Sequence, residues 1–113
     1  NYTDTYYFYL DLLLKIAEYK KAKTLIDYAR KIKGICLSCI LQKEALLNEK
    51  QGDLKAAKKL LQTAISISTD NDEINFINNE LNRVKNKIKA LKRKAKKKAT
   101  SESIEVKIVY NYR

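Results

Sequence analysis

Hydrophobic residues recur three and four positions apart through most of residues 4–67, the spacing of one face of an α-helix. The pattern breaks at Ala17–Glu18 and at Gly52–Asp53. Gly52 can take the left-handed conformation that ends a helix, and Asp53 can cap the next one. The pattern therefore predicts four helices, over residues 4–16, 19–33, 37–50 and 54–67.

The second pair of predicted helices resembles the first when the sequence is shifted by 35 residues. The shift pairs small residues with small residues and large apolar residues with large ones: Ala17 with Gly52, Ala22 with Ala57, Ile26 with Leu61 and Ala29 with Ala64. Such a period is typical of helical repeat proteins. Each unit is thus predicted to be a helical hairpin whose small residues let its two helices cross closely.

This arrangement resembles the tetratricopeptide repeat. The residues that match the family pattern are Ala45, Gly52, Leu54, Ala57, Leu61 and Ala64 in the second unit, and Tyr19, Ala22, Ile26 and Ala29 in the first. The usual Trp is replaced by Tyr6 and Leu41, and the closing Pro is missing. The 35-residue spacing also fits pentatricopeptide RNA-binding repeats, although these usually carry a larger residue at the position of Ala29. The resemblance implies a right-handed array of two hairpins over residues 1–71.

A longer helix is predicted over residues 72–99. Thr69 or Asp70 can cap it, and Glu73 can complete a capping box. Its apolar residues alternate in spacing between three and four, as in a heptad seam: Ile74, Ile77, Leu81, Val84, Ile88, Leu91 and Ala95. We expect residues 72–84, with Phe76, to cover the second hairpin, because a repeat array needs a capping helix.

The last residues alternate with period two, which predicts a β-strand over residues 103–113 in a segment that begins at Thr100. A single strand has no partner here, so we expect it to pair with another domain, another copy or a binding partner, and to be a route to self-association. The chain opens without Met and can be a fragment of a longer protein. The predicted fold class is all-α: a tetratricopeptide-like hairpin array, a long C-terminal capping helix and a terminal strand.

The net charge of +11 is concentrated in one stretch of the predicted capping helix. Ten of the 24 basic residues lie within residues 83–98, where no acidic residue occurs. This basic surface, represented by Arg83, Lys87, Lys94 and Lys98, would attract nucleic acid, an acidic protein or a membrane surface. The stretch has no aromatic residue for base stacking, so a solvated helix end is the simpler interpretation.

Chemistry-bearing residues are few. Cys36 and Cys39 lie one turn apart at the start of a predicted helix, but zinc usually takes four ligands, and the chain has no His and no second cysteine pair. A thioredoxin-like site would need a βαβ context that is missing. We therefore interpret both as buried structural cysteines and predict no metal and no cofactor. Without His or clustered acids, we expect no enzyme activity.

The remaining candidate is the concave surface that the first helices of tetratricopeptide units present to a peptide or partner helix. Carried over by position, the expected partner-binding residues are Tyr7, Phe8, Asp11, Lys15, Gln42, Lys43, Leu46 and Lys50, with Asp4, Cys39 and Glu49 beside them. Tyr7 and Asp11 stand where chaperone-binding members carry Lys and Asn, which disfavours a chaperone tail as ligand. Four consecutive aromatics, Tyr6–Tyr9, are further candidates for a partner contact.

The predicted function is a non-catalytic protein–protein interaction module, a scaffold or adaptor that binds a protein or peptide. The alternative is an RNA- or DNA-binding helical-repeat protein that uses the basic helix over residues 83–98. No apolar run approaches the ~18 residues of a transmembrane segment. Two cysteines are also too few for a disulfide framework, so we expect an intracellular, cytoplasmic protein.

Overall fold

A computed structural model describes the backbone of residues 2–111 and the side chains of residues 4–96. The described chain is all-helical, as predicted. Its helices are α1 (Tyr2–Lys15), α2 (Tyr19–Ala29), α3 (Leu37–Lys50), α4 (Leu54–Ile67) and α5 (Asn71–Asn111).

The first four helices form two hairpins that lie side by side. Helix α1 packs on α2, and α3 packs on α4. Helix α3 also contacts α1 and α2, while α5 packs on α4. Consecutive helices therefore pack on one another, and α3 is the element that joins the two pairs.

Helix α2 ends at Ala29, four residues before the predicted end at residue 33. The following residues tighten into a turn, because Lys31 N–H donates to the Tyr28 carbonyl at 3.1 Å and Ile32 N–H to the Ala29 carbonyl at 3.1 Å. Gly34 then adopts a φ of +84°, which no helix accommodates. The hydrophobic spacing continues through this turn, and for that reason the pattern alone placed the helix end too late.

Two hydrophobic cores hold the hairpins together. The first is formed by α1, α2 and α3: Leu10, Leu13, Leu14, Ala22, Ile26, Ala29, Ile40 and Leu47. The second is formed by α3, α4 and α5: Leu41, Ala45, Ala57, Leu61, Ala64, Ile77, Leu81 and Val84. The alanines that the sequence placed at the helix crossings are fully buried. Helix α3 contributes one side to each core.

Helix α5 covers the second hairpin with its first half only. Ile77 and Val84 are buried, Ile88 is partly buried, and Leu91 is 55% exposed. The contact of α5 with the second core thus extends as far as Ile88. Although α5 has 41 residues, no helix in the described part of the chain is both long and apolar enough to cross a membrane.

The strand predicted over residues 103–113 is wrong for the residues that the structure describes. Helix α5 runs without interruption through Thr100 to Asn111, and residues 112–113 lie outside the described range. A helix satisfies its backbone hydrogen bonds within one segment, whereas a lone strand leaves them unpaired. No Gly or Pro separates residues 100–111 from the preceding helix, so nothing stops its propagation.

Candidate peptide-binding groove

A groove runs between α3 and α5, over the second core. Its lining residues come from three helices: Gln42, Lys43, Ala45, Leu46 and Glu49 from α3, Leu61 from α4, and Phe76, Glu80 and Arg83 from α5. The groove encloses about 110 Å³. Small-molecule sites usually enclose about 300 Å³ or more. This groove is therefore smaller than a usual small-molecule site.

Helical periodicity places these residues together. Gln42, Leu46 and Glu49 are separated by four and three positions, so they share one side of α3. Phe76, Glu80 and Arg83 have the same spacing on α5, and they lie opposite. The opposite side of α5 is not covered, since Asn75, Asn79 and Asn82 are exposed, whereas α3 contributes buried residues to both cores.

One end of the groove is a charge cluster around Glu49. The Arg83 guanidinium donates to both carboxylate oxygens of Glu49, with Nη2 at 2.8 Å from Oε1, and it also donates to Glu80 at 2.5 Å. Lys87 donates to the same Glu49 carboxylate. Two cations and two anions are thus gathered on α3 and α5.

These contacts change the acid–base behaviour of the cluster. The Arg83 hydrogen bond, with that of Lys87, lowers the pKa of Glu49 to about 2, although partial burial acts in the opposite direction. The hydrogen bonds to Glu49 and Glu80 in turn raise the pKa of Arg83. Both groups stay charged at neutral pH. The side chain of Glu49 is only 6% exposed, while those of Arg83, Lys87 and Glu80 are 40%, 52% and 34% exposed, so Glu49 is the one buried member of the cluster.

The other side of the groove is apolar. Leu61 is buried, Leu46 is partly buried, and Phe76 is 58% exposed. An exposed aromatic ring beside a small apolar depression is a common anchor in protein–protein interfaces. Phe76 was expected to help cover the second hairpin, but the structure leaves most of its surface open to solvent.

Three of the eight predicted partner-binding residues line the groove. Gln42, Lys43 and Leu46 line the groove, and Lys43 forms an ion pair with Asp11 at 2.5 Å that joins α3 to α1. Tyr7 is partly buried, and its hydroxyl accepts a hydrogen bond from the Cys36 N–H at 3.1 Å. Tyr7 therefore supports the start of α3.

The other predicted residues lie outside the groove. Phe8 is 76% exposed, and Lys15 and Lys50 are exposed. Of the predicted basic surface, Lys94 is exposed and Lys98 lies beyond the described side chains, while Arg83 and Lys87 belong to the Glu49 cluster. The predicted basic surface is therefore divided between the groove and the far part of α5.

Sequence reasoning missed Phe76 and Glu80 as groove residues. Spacing gave no signal for them, because the 35-residue shift carries Gln42, Leu46 and Glu49 onto Ile77, Leu81 and Val84, which are buried in the second core. A helix expected only to cap the second hairpin gave no reason to look for groove residues on it, yet Phe76, Glu80 and Arg83 of α5 line the groove together with α3.

Several large apolar side chains of the first hairpin are exposed to solvent. These are Phe8, Tyr9, Leu12, Ile16 and Tyr28. Tyr28 also contacts Tyr6, with ring centroids 6.0 Å apart. The aromatic cluster predicted from the sequence is thus partly packed on α2 and partly open to solvent.

The interpretation of Cys36 and Cys39 as buried structural thiols is wrong. The two residues are only partly buried and form a disulfide across the first turn of α3. Their Cα atoms lie 5.2 Å apart, a separation that a disulfide can span.

Comparisons of the chain with models of protein families, with curated proteins and with solved structures found no match. The resemblance to tetratricopeptide repeats therefore stays a prediction, and the groove is the basis for a functional assignment.

Proposed function

We propose that this protein is a non-catalytic interaction module that binds a peptide or partner helix along the groove between α3 and α5. One observation carries the proposal. The exposed ring of Phe76 and the Glu49–Arg83 cluster line the same groove, and the helices that bear them, α3 and α5, share the second core. The proposal includes a right-handed, tetratricopeptide-like stack, which the 35-residue sequence shift supports.

The charge distribution indicates what kind of ligand fits. Glu49 is buried beneath its partners, whereas Arg83, Lys87 and Lys43 all expose part of their charged side chains. Among the charged side chains that line the groove, Arg83 is the most exposed at 40%, followed by Glu80 at 34% and Lys43 at 26%, so an acidic group of a ligand can reach Arg83 from solvent. We expect one apolar residue of the ligand to pack against Phe76 and neighbouring acidic residues to pair with Arg83 and Lys43.

Selection of peptides from a random displayed library against the full chain tests this proposal. Affinities of the selected peptides are then measured by fluorescence anisotropy for the wild type and two matched variants. Phe76→Ala removes the groove ring, and Phe8→Ala removes a ring that is even more open to solvent but lies on α1. We expect Phe76→Ala to weaken binding at least about tenfold, as for an interface hot spot, and Phe8→Ala to leave it unchanged.

The opposite pattern would overturn the proposal. If the selected peptides lose affinity for Phe8→Ala and keep it for Phe76→Ala, the binding surface lies on the first hairpin. Arg83→Ala supplies an independent check, because its effect should shrink as salt is added. Circular dichroism of each variant shows whether the helices remain intact.

Nucleic-acid binding is the second candidate, and the exposed basic residues of α5 beyond Leu91 favour it. Two of the predicted basic residues, Arg83 and Lys87, already pair with Glu49, which leaves a shorter basic surface for phosphates. A gel-shift titration with RNA and DNA across salt concentrations separates the two candidates. Absence of binding at low salt would remove nucleic acid from consideration.

A further inference from the structure

Two sulfur atoms and one carboxylate meet where α3 and α5 begin. Cys36 is the N-cap residue of α3, Cys39 lies in its first turn, and Glu73 lies in the first turn of α5. The two Sγ atoms and a carboxylate oxygen of Glu73 all lie within 4.8 Å of one another. The three residues are partly buried.

Neighbouring groups hold each of these side chains in place. The Cys36 N–H donates to the Tyr7 hydroxyl of α1 at 3.1 Å, and the Cys39 N–H donates to Cys36 Sγ at 3.3 Å. The buried Ser38 hydroxyl donates to the carboxylate of Glu73 and lies 3.3 Å from Cys36 Sγ. Hydrogen bonds of this kind orient ligands around a metal ion.

The surrounding charge also suits an anionic ligand set. Both α3 and α5 direct their N-termini, the positive ends of their dipoles, toward the cluster. Two thiolates and one carboxylate carry three negative charges, which a divalent cation reduces to one. The two helix ends favour that remaining charge.

The cluster opens onto a cavity of about 380 Å³ that polar residues help to line. Ser68, Thr69 and Asp70 lie in this lining, and the Ser68 hydroxyl is buried with no hydrogen-bond partner among the described residues. The cavity has room for a water molecule as a fourth ligand.

We propose that reduction of the Cys36–Cys39 disulfide converts this cluster into a zinc site with Cys36, Cys39 and Glu73 as ligands and water in the fourth position. Three protein ligands and one water form a common zinc arrangement. Zinc lies about 2.3 Å from thiolate sulfur, so tetrahedral sulfur ligands are separated by about 3.8 Å. Once the S–S bond is broken, the two sulfurs move apart to reach that separation, and the Glu73 carboxylate oxygen already lies within 4.8 Å of both.

The redox step requires a dithiol reductant. It delivers two electrons to the S–S bond, which breaks, and two S–H bonds form while the reductant becomes its own disulfide. Zinc then displaces the two thiol protons into solvent and is bound by two thiolates and the ionised carboxylate. Oxidation of the two sulfurs releases the ion, because a disulfide is not a zinc ligand.

Zinc titration of the full chain tests the proposal, with dithiothreitol-reduced and oxidised protein compared after the reductant has been removed anaerobically. A competing chromophoric chelator measures affinity and stoichiometry, and cobalt(II) substitution reports thiolate coordination by its absorption. We expect one zinc per reduced chain and none per oxidised chain.

Two variants on the same turn of α5 test the assignment of the third ligand. Glu73→Gln keeps the shape and removes the ligand charge, so we expect at least about tenfold weaker zinc binding. Asp72→Asn alters an exposed neighbour and should bind zinc as the wild type does. Cys39→Ser should abolish tight binding, and circular dichroism of each apo variant controls for folding.

Three results would overturn the proposal. Unchanged affinity of Glu73→Gln would exclude that carboxylate as a ligand. One zinc per two chains would show that cysteine pairs from two copies share the ion. Equal binding by the oxidised chain would place the ion elsewhere.

Discussion

The two hairpins make the same turn with different residues. In the first, the Glu18 N–H donates to the Leu13 carbonyl at 2.9 Å, and in the second the Asp53 N–H donates to the Asn48 carbonyl at 2.8 Å. Both bonds span five residues, as in the Schellman motif that ends many helices. The fold therefore imposes one backbone path on two sequences.

The two turns differ in how well their residues suit this path. Gly52 has a φ of +89°, which costs glycine little, whereas Ala17 has a φ of +63°, which costs a residue with a Cβ about 1–2 kcal/mol. Asp53 also caps α4, because its side chain accepts from the Ala56 N–H at 3.1 Å, while Glu18 makes no side-chain cap bond. The first turn thus depends more on the core beneath it.

The largest effects should come from truncating one buried isoleucine in each core. Ile40 in the first core and Ile77 in the second are both fully buried. We expect Ile40→Ala and Ile77→Ala each to lower the free energy of unfolding by about 2–5 kcal/mol, measured by urea denaturation. Leu91→Ala, at an exposed position of α5, should stay within about 0.5 kcal/mol. A large loss in Leu91→Ala would show that the far half of α5 belongs to the core.

Enlarging the crossing alanines should have the next largest effect. Ala22 and Ala57 are equivalent under the 35-residue shift, and both are fully buried. Ala22→Leu and Ala57→Leu should each destabilise the fold by about 1–3 kcal/mol through overpacking. Lys55→Ala on the exposed side of α4 should be nearly neutral. Equal melting temperatures for Ala57→Leu and Lys55→Ala would contradict the close helix crossing.

The smallest effect on stability should come from removing an ion pair between α3 and a neighbouring helix. Glu44 pairs with Arg30 and Lys23 of the first hairpin, and Glu49 pairs with Arg83 of α5. Because Arg83 is partly exposed, we expect Glu49→Gln to cost no more than about 1 kcal/mol at neutral pH.

The loss of unfolding free energy caused by Glu49→Gln should depend on pH in a definite direction. The Glu49 pKa falls from about 4.3 in an unfolded chain to about 2 in the fold, so its stabilisation is complete above the unfolded value and disappears as pH falls toward 2. The difference between wild type and Glu49→Gln should therefore vanish between about pH 4.3 and pH 2 in urea denaturation series. Arg83→Met should reduce the same pH dependence, and a difference that persists at pH 2 would exclude the carboxylate charge as its source.

Much of the fold could be predicted because its signals are local. Hydrophobic spacing predicted the first four helices, and Gly52 with Asp53 predicted one turn and its cap. The apolar alternation in residues 103–113 led to a wrong prediction, because a strand needs a neighbouring strand that these residues do not supply. Backbone hydrogen bonding within one helix prevailed over β propensity there.

The candidate sites were harder to predict because distant segments form them. The resemblance gave Gln42, Lys43 and Leu46 as partner-binding residues, and these three line the groove, but nothing in their spacing indicated Phe76 opposite them. Glu73 was expected to complete a capping box, yet its carboxylate accepts from Ser38 instead, and Asp70 alone caps α5. Such juxtapositions follow from tertiary packing and are invisible to local pattern.

The proposed function presumes that the chain folds two copies of one structural unit, and a reciprocal exchange at the two turns tests this most directly. We expect Ala17→Gly to raise the free energy of unfolding by about 1 kcal/mol in urea denaturation, because glycine relieves the left-handed strain. Gly52→Ala should lower it by about 1 kcal/mol, and an added Cβ there meets no atom within 4 Å, so backbone strain is the only cost. Shifts of equal size and opposite sign are the predicted result. Destabilisation by Ala17→Gly, or no response to Gly52→Ala, would contradict a shared turn and with it the repeat.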